Sequence, residues 1–286
     1  MVIDFHTHAF PDKIAERSIA ALVNAAPGVE AHTDGTLEGL RQSMMNAGVD
    51  ISVILPVATR KGQLETINRE AARINAEYRE LVSFGAIHPD DDEPEARLEA
   101  LKKQGFKGIK LHPDYTGTFI DDPRYIRIIT AAARLGLLVV THSGVDPAFD
   151  VIHCPPERGR AVLDRVMKET GRQEPFMIFA HLGGMMMHKE VEKHLAGAPC
   201  YIDISCSFPS LMEFCNNTDE DVVRIIRKHG ADRILFATDS PWNCQSAYVR
   251  HFRELDGLTA AEKEMILHSN AERLLSAFPL KSTYTL

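Results

Sequence analysis

Two histidines stand two residues apart in IDFHTHAF, residues 3–10. Ile3, Phe5 and Thr7 alternate there with Asp4, His6 and His8. Such a period of two predicts a strand and sends both imidazoles to one face, where they can grip one divalent ion. Further candidates stand at or just past the ends of later apolar runs. They are His88, then Lys110 and His112, then His142, His181 and Asp239. His142 and Asp239 can complete a site of three histidines and one aspartate with His6 and His8. Zinc or another borderline divalent ion suits nitrogen and oxygen donors of this kind, and a water in an open position would be acidified toward neutrality. A lone His-x-His is weak, since paired histidines on a solvated strand are common. The repeated placement of polar groups at strand ends carries the reading.

The elements that must position these residues follow from periodicity. Eight apolar runs read as strands: 2–6, 51–55, 81–87, 108–111, 137–142, 176–181, 200–205 and 233–238. Helical patterns lie between them at 37–47, 64–78, 95–104, 122–135, 156–170, 188–196 and 220–229. Asp121 or Asp122 before Pro123 reads as an N-cap with proline in the first turn. Gly48, Gly105, Gly136, Gly171 and Gly230 each follow a helical run, where a left-handed cap favours glycine. Repeated strand–helix units without hairpin signals predict an α/β protein, a single (β/α)8 TIM barrel, regular or distorted, as one domain over residues 1–286. An inserted helix is expected at 12–26 after the first strand, and two or three extra C-terminal helices at 245–278. An open doubly wound sheet would need a glycine-rich loop after the first strand, and HTHAFPD is not one. In a barrel the active site lies at the C-terminal ends of the strands, where the candidates fall.

Bulk properties narrow the function. The formal net charge is −8 and no dense Lys/Arg run occurs, so no nucleic-acid partner is expected. No apolar stretch approaches a membrane span, and Asp4, His6 and His8 interrupt any export signal, so the expectation is a cytoplasmic protein without a membrane partner. The five cysteines form no CxxC pair and read as reduced thiols.

These residues resemble the amidohydrolase superfamily, in the branch without a β-sandwich (amidohydrolase-related family 2) that includes aminocarboxymuconate-semialdehyde decarboxylase. The resemblance rests on DFHTH at 4–8, GIKLHP at 108–113, THSG at 141–144, AHLGG at 180–184 and ATDSPW at 237–242, in family order. It implies that His6, His8, His142 and Asp239 hold metal, most simply one Zn2+, and that Asp239 and His181 are catalytic. In two-metal relatives the position of His181 binds the second ion, and Lys110, if carboxylated, would bridge. Strand four offers Lys110 and His112 and no glutamate, which argues against a TatD-like nuclease.

The resemblance implies a metal-dependent hydrolase in which a metal-bound hydroxide attacks a small-molecule amide, lactone or ester. The alternative is non-oxidative decarboxylation of a small carboxylic acid, a lyase reaction served by the same ligands. A non-catalytic metal-binding protein is the minor alternative, and its test is whether the ion is required for folding. Substrate-binding candidates are His112, Lys110, Trp242, Arg60 and Arg158, the two arginines having solvated loop charge as their ordinary reading. Asp203 and Ser205 share a strand face and either line the pocket or fill the barrel core. Most remaining histidines, His153 and His229 among them, read as solvated or capping. Barrel enzymes of this size are often symmetric, so a homo-oligomer is expected.

Overall fold

The computed structural model describes residues 1–26, 28–212 and 215–276. Its strands are β1 (Ile3–Thr7), β2 (Ile51–Ile54), β3 (Leu81–Ser83), β4 (Gly85–Ala86), β5 (Gly108–Leu111), β6 (Leu138–Thr141), β7 (Met177–Phe179), β8 (Tyr201–Asp203) and β9 (Ile234–Leu235). All pair in parallel, in the order β1-β2-β3 and then β4 through β9. The run predicted at 81–87 is thus split at Phe84, whose N–H still donates to Ile54 O at 2.9 Å. The first and last strands are tied by Phe5 N to Phe236 O at 2.9 Å and Asp239 N to His6 O at 2.8 Å, with a parallel bridge between Thr7 and Ser240. These contacts join the ends of the sheet as a TIM barrel requires.

Except for the short α5, for which the sequence predicts no helix, the helices fall where the 3.6-residue period placed them. They are α1 (Asp12–Ala25), α2 (Leu37–Ala47), α3 (Leu64–Glu77), α4 (Pro94–Lys103), the short α5 (Pro113–Thr116), α6 (Pro123–Arg134), α7 (Pro156–Thr170), α8 (His188–His194) and α9 (Asp219–His229). Beyond β9 lie α10 (Gln245–Glu254), α11 (Ala260–Glu264) and α12 (Asn270–Ser276). Residues 277 and 278 of the predicted C-terminal helical span lie outside the described residues. Asp122 caps α6 by accepting from Arg124 N at 2.9 Å. Gly48 and Gly171 close α2 and α7 in the left-handed conformation, whereas Gly230 after α9 has φ 102° and ψ 120° and makes no such cap.

Two apolar layers hold the fold. Ile109, Leu111, Val139, Met177, Phe179 and Ile202 face outward into the layer shared with the helices. Ile3, Phe5, Val53, Phe84, Val140 and Ile178 fill the barrel interior, closed from below by Ala271, Leu274 and Leu275 of α12. Membership of these layers shows where simple alternation fails. The register between β1 and β2 shifts between Asp4 and Thr7. A bulge of this kind inserts one residue and re-aims the side chains beyond it. Phe5 therefore belongs to the interior cluster, and His6, its neighbour, also meets interior groups. Asp4 turns away instead, to Thr238 and to Gln245 of α10. The expectation that Asp4 shares a face with His6 and His8 is corrected by this bulge; the pairing of His6 with His8 stands, with ring centroids 5.1 Å apart. Among the described residues no helix is long and apolar enough to cross a membrane.

Candidate metal centre

The bulge in β1 aims His6 into the barrel, where it is fully buried. Its Nδ1 lies 2.9 Å from Asp203 Oδ2, at the end of β8. A carboxylate can only accept, so Nδ1 carries the proton and Nε2 keeps a lone pair. That Nε2 meets Lys110 Nζ at 3.0 Å and Asp239 Oδ1 at 3.4 Å. His8 follows the same logic. Its Nδ1 donates to the carbonyl of Leu55 at 2.9 Å, which turns Nε2 toward Asp239 Oδ1 at 3.0 Å. His6 Nε2, His8 Nε2 and Asp239 Oδ1 thus converge on one point as nitrogen and oxygen donors.

This donor set fits a divalent ion. Bonds of about 2.0–2.2 Å from one centre place neighbouring donors about 3.0–3.6 Å apart. The separations of 3.0 and 3.4 Å agree. The nitrogen and oxygen chemistry suits zinc and the other borderline ions. His142 is not part of this trio. Its Nδ1 lies 3.0 Å from His181 Nε2, and the His181 ring in turn lies 5.1 Å from that of His6. The structure therefore links the predicted residues in the order His8, His6, His181, His142 around Asp239.

Burial sets the charge states. It lowers His6 to about 4, helped by the ammonium of Lys110, and holds His142 down and His181 well down, so the rings are neutral. Burial alone would raise Asp239; positive charge on the rings of His6, His8 and His181, or on a cation held among them, is what keeps its carboxyl below the usual range. Burial also lowers the Lys110 ammonium to about 8 against the pull of Asp239 and Asp203. His181, Cys206 and Asp239 have φ of 59°, 52° and 65°. Non-glycine residues persist there only where their surroundings over-determine them. At His181 the N–H donates to Asp203 Oδ1 at 3.0 Å, and at Asp239 the N–H donates to His6 O.

Several residues were not singled out as site residues by sequence. Asp203 and Ser205, read only as pocket or core polar groups, support the site: Asp203 accepts from His6, from two backbone N–H groups and from Ser205 Oγ, and Ser205 Oγ reaches His181 Nδ1 at 2.9 Å. Their shared strand face was the available signal. The Cys206 thiol donates to Asp239 Oδ2 at 3.2 Å. Asp114 follows the KLHP motif and sits behind His142, and Asp146 lies 3.4 Å from His112 Nε2. No spacing rule marked either.

The remaining candidates divide. Lys110 and His112 point toward the centre, and the His112 ring stacks on His142 at 4.3 Å with Tyr115 edge-on at 4.4 Å. Phe149 packs edge-on against Tyr115. Trp242 is half-buried in the turn after Asp239, to whose carbonyl its N–H donates at 2.9 Å. Arg60 is exposed at the start of a 3-10 turn. Arg158 pairs with Asp121 at 2.6 Å and lies over the Phe119 ring. Neither arginine has a contact with the histidines of the centre among those the structure gives. His153 and His229, read as solvated or capping, are both buried. His229 caps no helix; it braces the turn after α8, its Nδ1 accepting from Gly197 N at 3.2 Å.

A parallel α/β barrel with histidines and an aspartate at the C-terminal strand ends defines a class of metal-dependent barrel enzymes. A family model described as amidohydrolase matches residues 3–277, and the chain belongs to that family of enzymes. No curated protein sequence matches it. Among solved structures it is similar to an uncharacterised TIM-barrel protein of Bordetella bronchiseptica, at 19% identity over 96% of this chain and 98% of that one, with a TM-score of 0.72. It is similar to 2,6-dihydroxybenzoate decarboxylase from Rhizobium at 16% identity, covering 96% and 98%, with a TM-score of 0.66. It is also similar to 5-carboxyvanillate decarboxylase of Novosphingobium aromaticivorans, determined with bound manganese, at 14% identity, covering 96% and 97%, with a TM-score of 0.67. At these identities the likeness is one of fold.

Proposed function

We propose that the chain is a metal-dependent hydrolase of a small-molecule amide, lactone or ester, with one divalent ion held by His6, His8, Asp239 and His142. The convergence of His6 Nε2, His8 Nε2 and Asp239 Oδ1 carries this reading. When bound, the ion supplies Lewis-acid activation of water and of the substrate oxygen. Asp239, ionised, accepts the proton of the attacking water on Oδ2, the oxygen that otherwise receives the Cys206 thiol, and returns it to the leaving group. His181, whose Nδ1 donates to Ser205, presents Nε2 as a lone pair that can take up and release a proton beside it. His112 and Trp242 bound the substrate, with Tyr115 and Phe149 behind His112.

A second reading, decarboxylation of a small carboxylic acid, is favoured by Lys110. A buried ammonium 3.0 Å from His6 Nε2 is a ready partner for a substrate carboxylate. The decarboxylase neighbours share this fold.

The deciding experiment is metal stoichiometry in protein purified without added metal or a histidine tag, beside His6→Ala/His8→Ala. One ion per chain, lost in the variant, is expected. A panel of amides, lactones and esters then separates hydrolysis from carbon dioxide release by aromatic and aliphatic acids. Absence of any ion after reconstitution with zinc or manganese, or equal metal in the variant, would overturn the reading. Two ions per chain, with a mass gain of one carbon dioxide at Lys110, would replace the single ion by a bridged pair.

A further inference from the structure

Behind His142 lies a group of polar atoms that the reaction does not use. Asp114, on the short α5, is 2% exposed. Its Oδ1 accepts from the backbone N–H of His153 at 3.0 Å and from His153 Nδ1 at 2.9 Å. Among the described residues its Oδ2 has no hydrogen-bond partner, and it lies 3.6 Å from His142 Nε2, which is also buried and without one. Burying either atom unpaired costs about 1–3 kcal/mol. Two such atoms facing each other are explained together or not at all.

A second cation between His112, His142 and Asp146 is one explanation, since their donor atoms cluster. The ring geometry rejects it. A metal must lie close to the plane of each imidazole it binds, about 2 Å from the nitrogen. The rings of His112 and His142 are stacked, 4.3 Å apart and inclined by 14°. Near-parallel planes at that separation share no point within bonding reach of both.

Counting protons gives the other explanation. From Asp203 to Asp114 runs a chain of Ser205, His181 and His142, with an acceptor-only carboxylate at each end. Its four contacts need four protons. Ser205 and two neutral imidazoles supply three. If Ser205 donates to Asp203, His181 Nδ1 must donate to Ser205, so His181 Nε2 is a lone pair. A proton on His142 Nε2 then satisfies Asp114 and leaves His142 Nδ1 as a second lone pair 3.0 Å from the first. The position short of positive charge falls at the centre and not behind it.

We propose that Asp114, anchored by His153, is a positioning residue that fixes His142 as its Nε2–H tautomer and so presents Nδ1 as a ligand. This rests on the metal reading above. A carboxylate behind a ligating imidazole raises its basicity and fixes its orientation, and its loss weakens metal binding about 10–100-fold. The 3.6 Å contact is longer than a hydrogen bond, and an ion on Nδ1 would keep the ring proton on Nε2, facing Asp114.

The test compares wild type, Asp114→Asn and Asp114→Glu. Chelator-competition titration with zinc should show binding about 10–100-fold weaker in Asp114→Asn and partial recovery in Asp114→Glu. The second readout needs no metal: 15N shifts of the His142 ring in metal-free protein, assigned by loss of the signal in His142→Gln. Wild type should show Nε2 protonated, and Asp114→Asn a mixture of tautomers. A wild-type His142 protonated on Nδ1 would overturn the proposal even if Asp114→Asn fails to fold. Unchanged zinc affinity together with an unchanged tautomer in Asp114→Asn would overturn it as well. A wild type that binds no zinc but shows the Nε2–H tautomer, lost in Asp114→Asn, would leave the Asp114 contact standing and overturn its link to a metal.

Discussion

Asp203 Oδ2 accepts from His6 Nδ1 at 2.9 Å, while its Oδ1 gathers the N–H groups of His181 and Ser205 and the hydroxyl of Ser205. One buried carboxylate thus ties β1, β8 and the loop after β7 into a single network. Burial would raise its carboxyl, but His6, His181 and Ser205 hold it well below the usual range, so it is charged. Asp203→Asn removes the charge and turns an N–H2 toward groups that donate. We expect a loss of about 2–4 kcal/mol in urea unfolding. Zinc binding should fall about tenfold or more through His6. A variant as stable as wild type would show that the network is not holding these strands together.

Removing metal should leave the fold intact. The interior cluster of Phe5, Val53 and Phe84 and the helix layer exclude water without any site residue. An ion at a free concentration 100 times its Kd adds about 2.7 kcal/mol. At this chain length that corresponds to about 5–10 °C in Tm. Chelation followed by far-UV circular dichroism and a thermal scan should show an unchanged spectrum and a shift of that size. Collapse of the spectrum would instead make the ion structural.

The parallel barrel was readable because each strand–helix unit carries its own period, and tightly defined caps such as Asp122 fix boundaries locally. His6, His8, His142, His181 and Asp239 were readable because each stands at a strand end. Long-range relations were not. The bulge in β1 depends on pairing with β2 and leaves no mark in IDFHTHAF. The pairing of Asp203 with His6 spans 197 residues, and that of Asp114 with His153 spans 39. Arg158 lies in the first turn of α7, but its partner Asp121 comes from the loop before α6, and only the fold reveals that the charge is already engaged.

His229 should make stability depend on pH away from the centre. Its Nε2–H donates to Cys200 O at 2.9 Å, and its Nδ1 accepts from Gly197 N, so the buried ring is neutral. Burial, with Arg233 nearby, lowers it from 6.5 to about 4 against the pull of the Cys200 carbonyl and Asp232. The unfolded chain therefore binds the proton first as pH falls. Stability is full above about 6.5 and is lost progressively toward about 4, by up to about 3 kcal/mol. Urea midpoints at pH 7.5 and 5.0, in wild type and His229→Gln, should show a smaller drop in the variant. Equal drops would assign the loss to other buried histidines.

The close approach of two loops explains why a glycine, Gly144, stands two residues after His142. Its φ is +88°, and an added Cβ would lie 2.2 Å from Met185 N and 2.5 Å from both Gly184 C and Met185 O. All three are backbone atoms, so no side chain can swing aside. The two loops are locked there by Val145 N to Met185 O at 3.0 Å and Met185 N to Ser143 O at 2.9 Å. Gly144→Ala combines positive-φ strain with a forced separation of these loops and should cost at least about 2 kcal/mol. It should also part His142 from His181, whose rings sit on the two loops. Zinc affinity and the urea midpoint should therefore fall together. A stable variant with weakened zinc binding would place the constraint in the site alone, and a variant matching wild type in both would show that the loops can separate without cost.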